Sequence, residues 1–311
     1  MKSSEASQCA FCGGSLFACW SAVDSGGHAW DYLRCGKCDL IQLSIPSKEE
    51  WKRLAYADDY YGGEFSKFTG AVQELRAFSA RRRAREIHRM TGCPGRVLDV
   101  GCGEGLFLKA MRDLRWEVEG CEVGERAASR AEKLTGGPIH RGDFQSMKSS
   151  GGWNVIMLWH VLEHVEEPAA LLRQLGERAA PGAWLVVAVP NAASWQARCF
   201  GPSWFHLDPP RHLFSMNVEH VRTLAARGGW NVRDVRHFSL EYNPYGWAQS
   251  LLNACGFRRD AMYETLKSGS KKRSLWRVAA WTLLGPSIIP AVCESAFRVG
   301  GTTVLYLKKN P

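Results

Sequence analysis

From residue 96 onward, short apolar runs alternate with segments whose apolar positions recur at helical spacing. The runs predict strands at 96–101, 116–121, 138–141, 153–159, 183–189, 230–239 and 302–308. The segments between them predict helices at 105–114, 124–135, 168–180 and 217–228. This alternation implies the α/β class, a parallel sheet with helices on both faces. Pro181-Gly182 reads as the end of the fourth helix and the start of the fifth strand, and Gly228-Gly229 marks the same change before the sixth. Two long insertions interrupt the pattern, at 190–216 and at 241–301. Ligands of parallel α/β sheets bind beyond the carboxyl ends of the strands, so both insertions are expected to stand over a reaction centre.

The pattern differs upstream. Residues 1–45 read as a separate small module carrying Cys9-x-x-Cys12 and Cys35-x-x-Cys38, each pair beside glycine (Gly13, Gly14 and Gly36). Four thiolates at this spacing fit a structural, tetrahedral Zn²⁺ of the ribbon type. So short a module buries little apolar area, and metal binding would supply much of its folding energy. Incidental turns or a redox pair would also produce the spacing. Residues 46–92 read as helical, interrupted at Tyr60, Tyr61, Gly62 and Gly63, with Val72, Leu75, Phe78 and Ile87 near helical spacing. Residues 93–311 then form the main domain with its insertions.

Composition sets bounds on this picture. With 311 residues, 45% hydrophobic and 23% charged, the chain has room for one α/β domain with additions. The net charge of +9 is concentrated in part at Arg81, Arg82, Arg83, Arg85 and Arg89, and at Lys271, Lys272 and Arg273. Such clusters permit contact with nucleic acid or an anionic membrane, and solvated helix faces carry them too. The first 15 residues are polar and show no signal peptide. A cytoplasmic location is expected, where the eleven cysteines are thiols or metal ligands.

The chemistry begins at RVLDVGCGEGL, residues 96–106. The apolar Val97, Leu98 and Val100 run into Gly101, Gly103 and Gly105, and a helical pattern follows. Glycine serves where the backbone turns tightly against a ligand, and a helix N-terminus offers it free N–H groups. Glu122 ends the second strand, about 20 residues on, where a carboxylate can accept from ribose hydroxyls. The order DVGCGEG, Glu122, then RGDF at 141–144 resembles the class I S-adenosylmethionine (SAM) methyltransferases. The resemblance implies their Rossmann-like seven-stranded sheet, with the last two strands antiparallel. It places Gly101, Gly103 and Gly105 against the amino-acid and ribose part of SAM, with Asp99 orienting the turn. It gives Glu122 the ribose, Asp143 the adenine amino group and Phe144 the ring. Tyr60 or Tyr61 would reach the SAM carboxylate, and Trp159 or His160 would face the cofactor.

MLWHVLEHVEEP at 157–168, and the later PN and W-x-x-LD-x-P-x-HL, resemble the ubiquinone-type O-methyltransferases and related sugar and natural-product enzymes. The resemblance spans roughly 60–240 and the last strand. The expected reaction is methyl transfer to a small-molecule oxygen, on a sugar, lipid-linked glycan or natural product. Histidine titrates near neutrality and suits removal of a hydroxyl proton. His160, His206 and His212 are the candidates, with His212 or His160 favoured, and each would equally serve as a hydrogen-bonding group in a buried loop. His164 is expected to order its turn. His206, Asp208 and Glu163 together would hold a divalent ion that orients a diol.

The second insertion bears on the acceptor. Residues 278–293 are sixteen uncharged positions that follow the basic run and contain Pro286 and Pro290. A bilayer span needs about 20 apolar residues. An interfacial segment at 271–297, at the inner face of the membrane, is one reading, and an apolar lid or dimer contact is the other. Two rival functions stay open: an RNA methyltransferase using the ribbon and the arginines, and a non-catalytic SAM-binding protein.

Overall fold

The computed structural model describes residues 8–45, 47–55, 70–148, 151–259, 261–262 and 274–310. The chain opens with strands β1 (Leu16–Val23), β2 (Ala29–Cys35) and β3 (Ile41–Leu43), paired antiparallel in that order. Asp24 makes the first turn by accepting from the N–H groups of Gly26 and His28. Helices α1 (Lys48–Ala55) and α2 (Ala71–Thr91) follow.

The main domain then runs through β4 (Arg96–Val100), α3 (Leu106–Asp113), β5 (Glu117–Glu122), α4 (Glu125–Thr135), β6 (Ile139–Arg141) and β7 (Trp153–Trp159). Next come α5 (Pro168–Arg178), β8 (Ala179–Pro190), α6 (Trp195–Phe200) and β9 (Phe214–Ser215). The chain closes with α7 (Val218–Arg227), β10 (Trp230–Arg236), α8 (Asn243–Ala254), α9 (Ser274–Ala296) and β11 (Thr302–Lys309). Seven of the strands form one sheet in the order β10-β11-β8-β7-β4-β5-β6. Neighbours from β8 to β6 are parallel, and β11 is antiparallel to both β8 and β10.

Side-chain alternation explains why this sheet is covered twice. Leu98, Ile156, Leu185, Leu305 and Leu307 face a cluster with Leu171 and Leu175 of α5 and Leu224 of α7. The intervening Val97, Val155, Met157, Val186 and Val304 face Leu108 and Met111 of α3, Ala131 of α4 and Ile87 of α2. Strands buried on both faces read as continuous apolar runs, which is why they were legible.

One expectation changes. The helix predicted at 168–180 is α5, which ends at Arg178, and β8 already begins at Ala179. Trp153 pairs with Ala179 and Val155 with Trp184, so Pro181-Gly182 lies in a bulge inside the strand. The first 45 residues pack against later parts of the chain. β3 pairs with β9 of the first insertion. The Tyr32 hydroxyl donates to Leu207 O (3.1 Å), Trp51 Nε1 to Pro210 O (2.6 Å) and His220 Nε2 to Cys38 O (2.7 Å). Tyr32, Leu40, Leu43 and Trp51 join the same buried cluster as α5 and α7. The cysteine-bearing sheet therefore braces the loop that carries His206, Asp208 and His212.

In the second insertion, α9 runs through Pro286 and Pro290 and leaves Ile288, Ile289, Val292 and Phe297 exposed. Among the described residues, no helix is long and apolar enough to cross a membrane. The basic run 271–273 lies outside the described residues.

Candidate active site

The turn after β4 is held by its own backbone and by one carboxylate. Gly101, Gly103 and Gly105 have φ of 70°, 55° and 80°, which favour glycine. A Cβ at Gly101 would lie 2.7 Å from Val161 Cγ2, and one at Gly105 would lie 3.0 Å from Ala131 Cα. At Gly103 nothing lies within 4 Å, which leaves space there for a ligand. Glu122, buried at the end of β5, accepts from Gly103 N (2.9 Å, Oε2) and Gly124 N (2.8 Å, Oε1). Asp99 is buried beneath, and burial pushes its carboxyl up to about 8, with Arg83 opposing and Glu122 assisting the rise.

The other cofactor candidates are less uniform. Asp143 is exposed, and its Oδ1 accepts from Ser146 N (2.9 Å), so half of its carboxylate closes a turn. Phe144 is buried against Trp153 and under the Arg178 guanidinium, 4.7 Å from its ring centre, which gives it a packing role. Tyr60 and Tyr61 lie outside the described residues.

Beside the turn, His160 follows directly on β7 in a left-handed conformation, φ 54°. Such strain in a non-glycine residue clusters at functional sites. Its Nδ1 meets Glu163 Oε1 at 3.1 Å, and its Nε2 is buried with no hydrogen-bond partner among the described residues. The His206 ring lies parallel to it, centres 6.1 Å apart, and the His206 Nε2 also lacks a partner among the described residues. Tyr242, from the second insertion, packs 4.1 Å from the His160 ring. Burial lowers both histidines to about 3, so both are neutral imidazoles at physiological pH. Both insertions thus reach the end of β7.

His212 does not join this pair. Its Nδ1 meets His206 O at 2.7 Å, and its ring packs edge-on against His164, 4.6 Å away. The grouping of His206, Asp208 and Glu163 as ion ligands is likewise not formed. Asp208 is taken by Arg211, which holds its carboxyl well below the usual range against the effect of burial. Glu163 instead gathers with His164 and His212.

A family model described as a methyltransferase domain matches residues 73–235, just over half of the chain. The chain belongs to this methyltransferase family. The ubiquinone biosynthesis O-methyltransferase of Bordetella bronchiseptica is 30% identical over 169 residues, covering 50% of this chain and 69% of that protein. The protein of the same name from Bordetella pertussis is 26% identical over 171 residues, with 50% and 69% covered. A Galdieria sulphuraria structure, described as a sarcosine dimethylglycine methyltransferase, aligns with TM-score 0.51 at 12% identity, over 75% of this chain and 86% of that one. A SAM-dependent methyltransferase from Mesorhizobium loti gives TM-score 0.49 at 14% identity, covering 76% and 100%. At 12% identity the likeness to the Galdieria structure shows the fold alone. With that fold, the family match makes this chain a class I SAM-dependent methyltransferase.

Sequence reasoning placed Arg83 of the methyltransferase among solvent-facing arginines. In the structure its guanidinium lies 4.0 Å over the Trp159 ring and pairs with Glu241 Oε1 at 2.9 Å. The available signal was spacing: Ala80, Arg83, Ala84 and Ile87 share one face of α2, whose neighbours are buried. Arg81, Arg82, Arg85 and Arg89 remain exposed. Tyr242 and Glu241 were missed because no local motif marks them.

The four cysteines also come together. Cys9 and Cys38 Sγ are 3.6 Å apart, and Cys12 and Cys35 Sγ are 3.4 Å apart. One sulfur of each lies within 4.8 Å of the others. The N–H groups of Lys37 and Cys38 point at Cys35 Sγ, at 3.4 and 3.5 Å.

Proposed function

We propose that this methyltransferase moves a methyl group from SAM to a hydroxyl oxygen of a small molecule, and that His160 removes the hydroxyl proton. The carrying observation is the buried, unpartnered Nε2 of His160, backed through Nδ1 by Glu163. SAM supplies an electrophilic methyl carbon on a sulfonium. Gly101, Gly103, Gly105, Glu122 and Asp99 would hold it, with Trp159 beside it and Tyr60 and Asp143 as further contacts. The space at Gly103 and the buried Glu122 carboxylate beside it fit such a ligand.

The chain's own part is positioning and proton removal. A neutral His160 takes the proton at Nε2 while Nδ1–H faces Glu163, whose carboxylate steadies the resulting imidazolium. His206 stacks on His160 and fixes its plane, making it a positioning residue or an alternative base. The acceptor class is a sugar, lipid-linked glycan or natural-product phenol, a reading supported by the relatives' designation as O-methyltransferases. The exposed Ile288, Ile289, Val292 and Phe297 beside the acceptor-side helices support a lipid-linked acceptor presented at a membrane surface. The RNA reading loses support, because Arg83 faces the site rather than solvent.

For the four cysteines the proposal is a structural Zn²⁺. Tetrahedral zinc–sulfur bonds of about 2.3 Å put the sulfurs about 3.8 Å apart, close to the separations of the two measured pairs. Four sulfurs leave no open position, so this ion would brace and not react.

The test is methyl transfer from labelled SAM to a panel of free sugars, lipid-linked sugars and phenols, with wild type and His160→Ala compared on any acceptor found. Loss of turnover with unchanged SAM affinity supports His160 as the base. Full turnover in the variant contradicts it.

A further inference from the structure

Two histidines that the proposed reaction does not use carry a second observation. His164 Nδ1 lies 3.0 Å from Arg211 O, and His212 Nδ1 lies 2.7 Å from His206 O. A carbonyl only accepts, so each Nδ1 carries the proton and each Nε2 is left as an acceptor. One ligand atom from each of these rings lies within 4.8 Å of the other and of a Glu163 carboxylate oxygen. Glu163 is wholly buried, and its Oε2 has no hydrogen-bond partner among the described residues. The two imidazoles and a carboxylate whose Oε2 is buried without a partner among the described residues therefore converge. Such an arrangement is costly unless a cation joins it. Arg211, whose carbonyl meets His164, bonds through its side chain to Asp208 (2.8 Å through Nε). Asp208 Oδ2 lies 3.8 Å from His212 Nε2 and adds negative charge beside the cluster.

We propose that Glu163, His164 and His212 form a second metal site of the methyltransferase, taking a borderline transition-metal dication such as zinc or iron(II). Two imidazoles and one carboxylate select this class over magnesium or calcium, which prefer all-oxygen sets. Both imidazoles are already oriented by Nδ1–H bonds to backbone carbonyls, the arrangement that fixes a metal-binding tautomer. His164 is half-buried and gives an ion a way in. Three protein ligands leave a further position for water or an acceptor oxygen. The site would join His212 of the first insertion to the segment after β7, and through Glu163 Oε1 it would fix the orientation of His160. The proposal rests on its own geometry and does not require the methyl-transfer assignment.

The test is metal stoichiometry of the full chain. Folded protein is stripped by chelator, reloaded with ZnCl₂ or CoCl₂, freed of excess ion and analysed by mass spectrometry. Two equivalents per chain are expected in wild type, falling to one in His212→Gln and Glu163→Gln. With cobalt, the intense thiolate bands of the four-cysteine site persist in these variants, and the weaker bands of a nitrogen–oxygen site disappear. Circular dichroism checks folding, and His164→Gln at the half-buried ligand replaces any variant that fails. One equivalent in wild type with both metals overturns the proposal and leaves a shared proton as the joining cation. A second equivalent that survives all folded variants overturns it equally, since the ion then lies elsewhere.

Discussion

The end proposed to hold the cofactor and the end proposed to take the acceptor are built on different principles in this methyltransferase. At the cofactor end, residues 99–124 close on themselves: β4 pairs with β5, and Glu122 at the end of β5 accepts from Gly103 and Gly124, all within a single strand–helix–strand unit. At the acceptor end, His160, His206 and Tyr242 come from three distant segments, and the loop carrying His206 is braced by the cysteine-bearing sheet. A local unit tolerates change elsewhere, whereas an assembled one depends on its supports. SAM binding and acceptor chemistry should therefore be separable by mutation.

The largest separation is expected from His160→Ala. Turnover should fall by roughly 10²–10⁴-fold, the range for losing a general base, with SAM affinity held within about twofold in a binding titration. Gly103→Val should do the reverse. At φ 55° the new side chain is strained and fills the space there. SAM affinity should drop by about tenfold or more, the scale of losing a hydrogen bond to a charged group, while metal content and the acceptor-side fold persist.

Acid should act on the acceptor end first. His160, His206 and His164 have pKa values lowered by burial to about 3, 3 and 4, below their unfolded value of 6.5. Groups depressed in this way contribute stability above pH 6.5 that is lost as pH falls toward those values. Each group gives a slope of at most about 1.4 kcal/mol per pH unit. Urea midpoints should decline on acidification from pH 7 to 5, and less steeply in His206→Gln; equal slopes would show that His206 is not buried neutral.

Bracing by the cysteine-bearing sheet gives the smallest effect. Tyr32→Phe removes one buried hydrogen bond to Leu207 O and should cost about 0.5–1.5 kcal/mol of stability. Acceptor KM should rise with SAM affinity unchanged. A shift in SAM affinity instead would mean that the sheet supports both ends alike.

The same contrast explains what the sequence could reveal. The seven strands, the glycine turn and Glu122 are local patterns, so period and spacing disclosed them. The placement of Asp143 in a turn and of Phe144 under Arg178 depended on packing that spacing does not carry. Arg83 looked like part of a solvent cluster because composition hides which face of α2 is covered. His212 lies six residues beyond His206, yet its ring turns to His164, since a polar loop has no fixed period. Pro181-Gly182 looked like a boundary but sits in a bulge, where a strand tolerates both residues.

The most direct test of separable ends is calorimetric titration of wild type, Glu122→Ala and His160→Ala with SAM and its demethylated product. The account predicts that Glu122→Ala loses both ligands by about tenfold or more, while His160→Ala binds them as wild type does. Wild-type affinity in Glu122→Ala, or weakened binding in His160→Ala, would contradict it.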